Sequence, residues 1–269
     1  MYIDKKRNSY TLSDAELYIE KLNEEARAHR ALHHPFLKKL ANGEFEETPE
    51  VLKDFTYQYL AYSQDFMRYL TATISQLSNW QHRQWLLENL LEESGQVSDE
   101  ELAELKDIGI EPNWVMNIAH PELYNRFLRA IGRDETYKKQ NPFCNEAQLW
   151  SRLFLKSCQT DGAAHAVGAM GIGTENVVKY IYRYLLDAIN KHLQVTQEQR
   201  VFFDLHALLD DEHGKIFNRI AADYAQDPSQ RPLLHEGMLL ALNLRASFFD
   251  GMLIRAQMKS YTSNNNSAA

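Results

Sequence analysis

HALLDDEH, residues 206–213, lies inside the longer run RVFFDLHALLDDEHGKIFNRIAADYA (200–225). An α-helix turns 100° per residue, so positions i, i+4 and i+7 fall within about 60° of arc. His206, Asp210 and His213 have that spacing. Phe202, Phe203 and Leu209 lie within about 60° of His206 around the same helix, which sets the triplet in an apolar stripe. The neighbouring acids Asp211 and Glu212 point away from it. Two imidazoles and a carboxylate on one buried face are a borderline-to-hard donor set, suited to iron, manganese or zinc. On spacing alone, a solvated polar face or histidines satisfied at a packed interface would read the same way.

Outward from this run the periodicity stays helical. Ser13-x-x-Glu16, Ser98-x-x-Glu101 and Thr196-x-x-Gln199 are capping boxes, each ahead of an amphipathic run. Thr48-Pro49 opens VLKDFTYQYLAYSQDFMRYLTATISQL (51–77), and Asn79 is placed to cap WQHRQWLLENLLEES (80–94), with Gly95 as its stop. HPELYNRFLRAIG (120–132) is a further helix. Asn145 is expected to cap EAQLWSRLFLKSCQ (146–159), and Thr174 to cap ENVVKYIYRYLLDAINKHL (175–193). After DPSQRP (227–232) comes a last helix of about thirty residues. No alternating strand pattern, hairpin signal or repeat is found. The expectation is an all-α chain: one bundle over residues 1–262, about seven core helices with short extra ones, and a disordered polar tail over 263–269.

Composition narrows the function classes. With 37 acidic against 29 basic residues the formal charge is -8, which argues against a phosphate-backbone partner such as nucleic acid. Cys144 and Cys158, without CxxC spacing, read as reduced thiols. No signal-peptide pattern opens the chain, and no run of about 18–20 apolar residues is read as a membrane span. A cytoplasmic location is expected, and a homodimer, the commonest oligomer.

Further carboxylates interrupt apolar helices. Glu93 closes WLLENLLEE (85–93), and Glu175 follows the small-residue stretch GAAHAVGAMGIG (162–173). Each alone reads more readily as a helix-end or first-turn residue, and for Glu175, one position after its expected cap, the dipole favours a negative charge regardless. The glycines of that stretch suggest close helix approach, since no Lys-Ser/Thr follows to make a phosphate loop.

In order along the chain, HPFLKKLANGEF (34–45), FTYQYLAYSQDFMRYL (55–70), LLENLLEESG (86–95), HPELYNRFLRAIG, GTENVVKYIY (173–182) and HALLDDEH resemble segments of the heme-oxygenase-like di-iron oxidases. That superfamily also contains pyrroloquinoline quinone synthase and thiaminase II. The resemblance implies a heme-oxygenase-like bundle with six metal ligands: Glu93, His120, Glu175, His206, Asp210 and His213. It implies two Fe(II) ions, O₂ as cosubstrate, and a small organic substrate, amino-acid-like or another carboxylate, in a biosynthetic pathway. Arg68, Arg83, Arg152 and Arg183 are candidate carboxylate anchors. One or two rings of the series Tyr57, Tyr59, Tyr62, Phe66 and Tyr69 are expected at a cavity. Members that make para-aminobenzoate from their own tyrosine carry tyrosines where this chain has Leu37 and Phe55, so that self-sacrificing reaction is not expected. A metal-free enzyme of this fold and a non-catalytic interaction protein are the alternatives.

One departure stands out. In the family the first glutamate and the next histidine lie about two turns apart on one helix, whereas here 120 − 93 = 27 positions separate them. Either residues 96–119 are an insertion that returns His120 to the site, or Glu100, seven positions after Glu93, takes its place.

Overall fold

The computed structural model describes residues 12–266, apart from the side chains of 99–100, 207–212 and 259–266. Three helices begin as their capping boxes predict: α1 (Asp14–Ala28) behind Ser13, α6 (Asp99–Asp107) behind Ser98, and α12 (Gln197–Ala225) behind Thr196. In each, the hydroxyl of the cap accepts an orphan N–H, and the acidic or amide side chain three residues on reaches back. Between α1 and α6 lie α2 (Pro35–Asn42), α3 (Thr48–Ser63), α4 (Phe66–Gln76) and α5 (Trp80–Glu93). Then follow α7 (His120–Ala130), α8 (Glu135–Gln140), α9 (Asn145–Thr160) and α10 (Ala163–Val167). A π-helical stretch, Gly168–Glu175, joins α10 to α11 (Asn176–His192). After α12 comes α13 (Arg231–Asn266). No strand occurs among the described residues, and the fold is all-helical as the periodicity predicts.

Four local expectations change. The run 51–77 is two helices, because Asp65 donates its N–H to the Tyr62 carbonyl at 3.1 Å and tightens the turn there. Asn145 is the first helical residue and not the cap; that place falls to Cys144, which offers no side-chain bond. Thr174 caps nothing, since α10, the π-helical stretch and α11 run on without a break. α13 continues to Asn266, into the segment read as a tail, because no glycine or proline interrupts it after Gly251 and helix propagation costs little once a helix exists. Residues 267–269 lie outside the described residues.

The centre of the bundle is where α13 lies along the π-helical stretch, with α12 on its other side. Glycine makes this approach possible. A Cβ at Gly168 would stand 2.1 Å from the carbonyl oxygen of Leu234, and one at Gly237 would stand 2.0 Å from that of His165. Small residues in 162–173 therefore serve helix packing. The segment Pro228–Met258 is long and apolar enough, by length and composition, to cross a membrane. Half of its apolar window is buried in the bundle.

Candidate metal centre

Three chain segments bring one carboxylate and two imidazoles together. Glu93 is the last residue of α5, and His120 is the first of α7, where Pro121 follows without losing a needed N–H. His206 comes from the middle of α12. All three offer donor atoms within 4.8 Å of one another. Glu93 and His120 are buried, and Glu93 Oε2 lies 2.9 Å from His120 Nδ1. That nitrogen nonetheless has no hydrogen-bond partner, so the two groups converge without the alignment of a hydrogen bond. Ligands aimed at a shared cation sit this way.

His206 is oriented for the same task. Its Nδ1–H donates to the Phe202 carbonyl at 2.8 Å, because a carbonyl can only accept. The lone pair is thereby left on Nε2, the arrangement that sets the tautomer of metal-binding histidines. Phe202 packs against the ring at 4.2 Å, Tyr182 at 5.7 Å and His120 at 4.7 Å between centroids. Burial, reinforced by His120, pushes the His206 pKa down to about 3, so the ring is neutral. Burial would raise Glu93, but His120 outweighs it and holds that carboxyl at about 2.

The other half of the set is close by. Glu175 ends the π-helical stretch and is buried, and its Oε1 has no hydrogen-bond partner. Burial raises its pKa to about 7. His213, two turns after His206, has its Nε2 only 2.5 Å from Glu92 Oε2. Burial would lower its pKa, but the Glu92 bond and the charges of Glu175 and Glu93 lift it to about 10. Of the six expected ligands, Glu93, His120 and His206 form the cluster, Glu175 lines the cavity beside it, and His213 lies near enough to feel the charges of Glu175 and Glu93. The side chain of the sixth, Asp210, lies outside the described residues, as does that of the rival Glu100.

The 27-position step is a loop that closes on itself. Gly95, at φ +95°, accepts the N–H of Asn117 at 2.8 Å, and α7 starts three residues later. Inside the loop Leu105, Ile110 and Val115 are buried, and Arg126 of α7 donates to the Trp114 carbonyl. Glu100 sits in the first turn of α6, inside this loop.

A cavity of about 30 Å³ adjoins the centre, lined by Glu93, His120, Glu175 and His206 together with aromatic rings. By the usual measure that is room for roughly two or three waters. Tyr59, Tyr62 and Phe66 of the expected aromatic series line it, as do Tyr124 and Tyr182. Tyr57 and Tyr69 instead bond to the Asn141 carbonyl and the Ser151 hydroxyl. Leu37 and Phe55 are packed in the core and do not line the cavity.

None of the four proposed arginine anchors reaches it. Arg68 pairs with Asp65, Arg83 donates to the Leu77 carbonyl, Arg152 to Gln148, and Arg183 lies over Tyr180. The arginine beside the centre is Arg245 on α13, which is buried against Tyr62 and Trp150. Its signal was available as a lone cation inside the apolar run LLALNLRASFF (239–249). Glu92 was missed because Glu93 took the family position.

Solved structures share this architecture. A TenA homologue of Pseudomonas syringae covers 89% of this chain, and this chain 93% of it, at a TM-score of 0.67 and 13% identity. A Shewanella denitrificans domain with a heme oxygenase-like fold gives 0.69 at 15% identity over 93% and 96% of the two chains. A CADD-like protein of Nostoc punctiforme gives 0.71 at 15% identity over 90% and 98%. The Chlamydia muridarum protein named 4-aminobenzoate synthase is 21% identical over 217 residues, 80% of this chain and 82% of that one. Residues 53–246 match a family described as iron-containing redox enzymes, and this chain belongs to that family. The matched span contains every candidate ligand named above.

Proposed function

We propose that this protein is a non-heme di-iron oxidase or oxygenase that uses O₂ on a small organic substrate, amino-acid-like or another carboxylate. The observation that carries the reading is the convergence of Glu93, His120 and His206 with Glu175 and His213 beside them. Glu93, His120 and His206 would hold one iron. Glu175 and His213, with Asp210 on the same helix face, would hold the other. Bound iron in such a site supplies O₂ activation, and the protein supplies geometry and a shielded cavity.

The residues' own contributions follow from their surroundings. The Phe202 carbonyl fixes the His206 tautomer, so Nε2 needs no rearrangement to bind a cation. Glu175, kept partly protonated near neutrality by burial, would give up that proton to bind a cation. Tyr124 donates to the Thr56 carbonyl at 2.7 Å and holds one wall rigid. The rings of Phe66, Phe202 and Tyr182 keep bulk water from the reacting groups.

The test is anaerobic loading of the full chain with Fe(II), followed by O₂ and a panel of amino and fatty acids. About two irons per chain and substrate-dependent O₂ uptake are expected, both lost in His206→Ala. Failure to bind iron would support a metal-free enzyme of this fold instead. Formation of 4-aminobenzoate without added substrate would favour the chemistry named for the Chlamydia relative.

A further inference from the structure

Arg245 is 1% exposed. It forms no ion pair among the described residues, and its Nε–H and Nη1–H groups have no acceptor. A buried guanidinium without a carboxylate is rare, because desolvating a cation is repaid only by a partner charge and matched hydrogen bonds. The rings around it give part of that. Its carbon stands 5.6 Å from the Tyr62 ring centre and 5.1 Å from that of Trp150, and the Tyr59 hydroxyl is within hydrogen-bonding reach. Cation–π contacts leave the in-plane N–H donors unsatisfied.

The groups on the cavity side of this arginine are donors too. Tyr62 Oη, Ser63 Oγ and Thr174 Oγ1 are buried without a well-formed hydrogen bond, the Tyr62 and Thr174 hydroxyls lie near enough to act on each other, and all three residues line the cavity beside the metal ligands. Glu175 lines the same wall, and the Arg245 charge reaches it and opposes the rise caused by burial. A cluster of hydroxyl donors backed by a fixed positive charge is complementary to an anion of a few atoms. A cavity of about 30 Å³ admits a head group of that size.

We infer that Tyr62, Thr174 and the Arg245 guanidinium behind them form an anion subsite that takes the carboxylate of the substrate next to the metal centre. The inference rests on the di-iron reading for its function, but the subsite itself needs no metal. Arg245 would act through its field and through Tyr59 and Tyr62, with the hydroxyls making the direct bonds. The carboxylate end would fix the orientation of a bound molecule.

The experiment uses the full chain, metal-free and iron-loaded, with octanoate and L-leucine as carboxylate probes and octanamide and L-leucinamide as their uncharged-head controls. Affinity is read by calorimetry and iron by stoichiometry. At least one carboxylate should bind the wild type tenfold or more tightly than its amide. Arg245→Met should reduce that preference to within about threefold while iron stays at the wild-type level. Should Arg245→Met not fold, the pair Tyr62→Phe and Thr174→Val keeps core volume and should each weaken the carboxylate alone, by roughly three- to tenfold. Equal binding of acid and amide to the wild type would overturn the subsite, as would an undiminished preference in all three variants. Iron failing to bind with the preference intact would remove the di-iron reading and leave the subsite standing.

Discussion

The Gly95 carbonyl accepts the backbone N–H of Asn117, 22 positions later in the chain, at 2.8 Å. This one bond explains how Glu93 and His120 meet although their spacing departs from the family pattern. The polypeptide leaves α5, folds α6 and a short buried cluster, and returns to the point it left. Gly95 is required there on two counts. Its φ is +95°, and a Cβ would lie 2.5 Å from the backbone nitrogen of Ile118.

Gly95→Ala is therefore expected to cost more than conformational strain. Strain alone, roughly 1–2 kcal/mol, is the expectation for Gly132→Ala, where φ is +75° and nothing lies within 4 Å of the added Cβ. At Gly95 the clash is with backbone that cannot rotate away, so the loss should exceed that by about 1 kcal/mol or more. The loop must also shift, and His120 with it. Urea denaturation and iron titration of the two variants check this: only Gly95→Ala should lose iron affinity. Matching losses of stability with unchanged iron binding would show that the loop closure does not position His120.

Glu92 makes a different prediction. Its carboxylate takes the Nε2–H of His213, which leaves Nδ1 as the nitrogen free to bind a cation. Carboxylates that orient ligating histidines in this way typically contribute 10–100-fold in metal affinity. Glu92→Ala should lower iron affinity by about that factor at one of two sites. Glu92→Gln, which can still accept the bond, should lose less. Glu93→Ala should instead empty the site built with His120 and His206. Separate titration of the two sites distinguishes these outcomes; if Glu92→Ala abolishes binding at the Glu93 site, Glu92 is itself a ligand there.

Much of this was legible in the sequence, for physical reasons that differ by residue. The 3.6-residue period places His206 and His213 on one face, and the apolar Phe202 and Phe203 beside them show that the face is inward. The capping boxes at Ser13, Ser98 and Thr196 locate helix starts because they satisfy local N–H groups within three residues. Thr174 was misread because a cap residue looks the same when a helix passes through it, and the π-helical stretch is held by α13, which is distant in sequence. Arg245 was not picked out because its role depends on Tyr62, Trp150 and Thr174, from three separate elements. Long-range convergence leaves little trace in local spacing.

Helix packing around the site supplies a prediction whose sign is opposite to propensity. Alanine is favoured over glycine inside a helix by about 1 kcal/mol. Gly168 and Gly237 both lie within continuous helical segments, yet each would place a Cβ about 2 Å from a carbonyl of the opposing helix. Overpacking of this kind costs typically 1–3 kcal/mol and exceeds the propensity gain. Gly168→Ala and Gly237→Ala should therefore both lower the urea midpoint. Because separating α13 from the π-helical stretch moves Arg245 relative to Thr174, both should also weaken octanoate binding. Stabilisation of either variant would show that the two helices can part freely.

The charged groups of the centre predict different pH dependences for the metal-free and the iron-loaded protein. His213 has a folded pKa near 10 against an ordinary 6.5, so its contribution is complete below pH 6.5 and fades as pH rises through 10. Glu175, raised from 4.5 to about 7, loses its contribution as pH rises through 7. On the acid side His206, held down to about 3, and Glu93, held at about 2, lose theirs as pH falls through those values. Glu175 completes its change at about pH 7, so between pH 7 and 10 His213 is the group that destabilises. The melting temperature of the metal-free protein should thus fall over that window, with each kcal/mol lost lowering it by about 2–4 °C in a chain of this size. His213→Gln should flatten most of that fall. Iron binding competes with the same protons on Glu175 and His213, so its affinity should rise with pH across this range. The stabilisation by iron, measured as the difference between the two melting curves, should widen from pH 7 to 9. A constant difference would mean that iron does not displace those protons and that Glu175 and His213 are not its ligands.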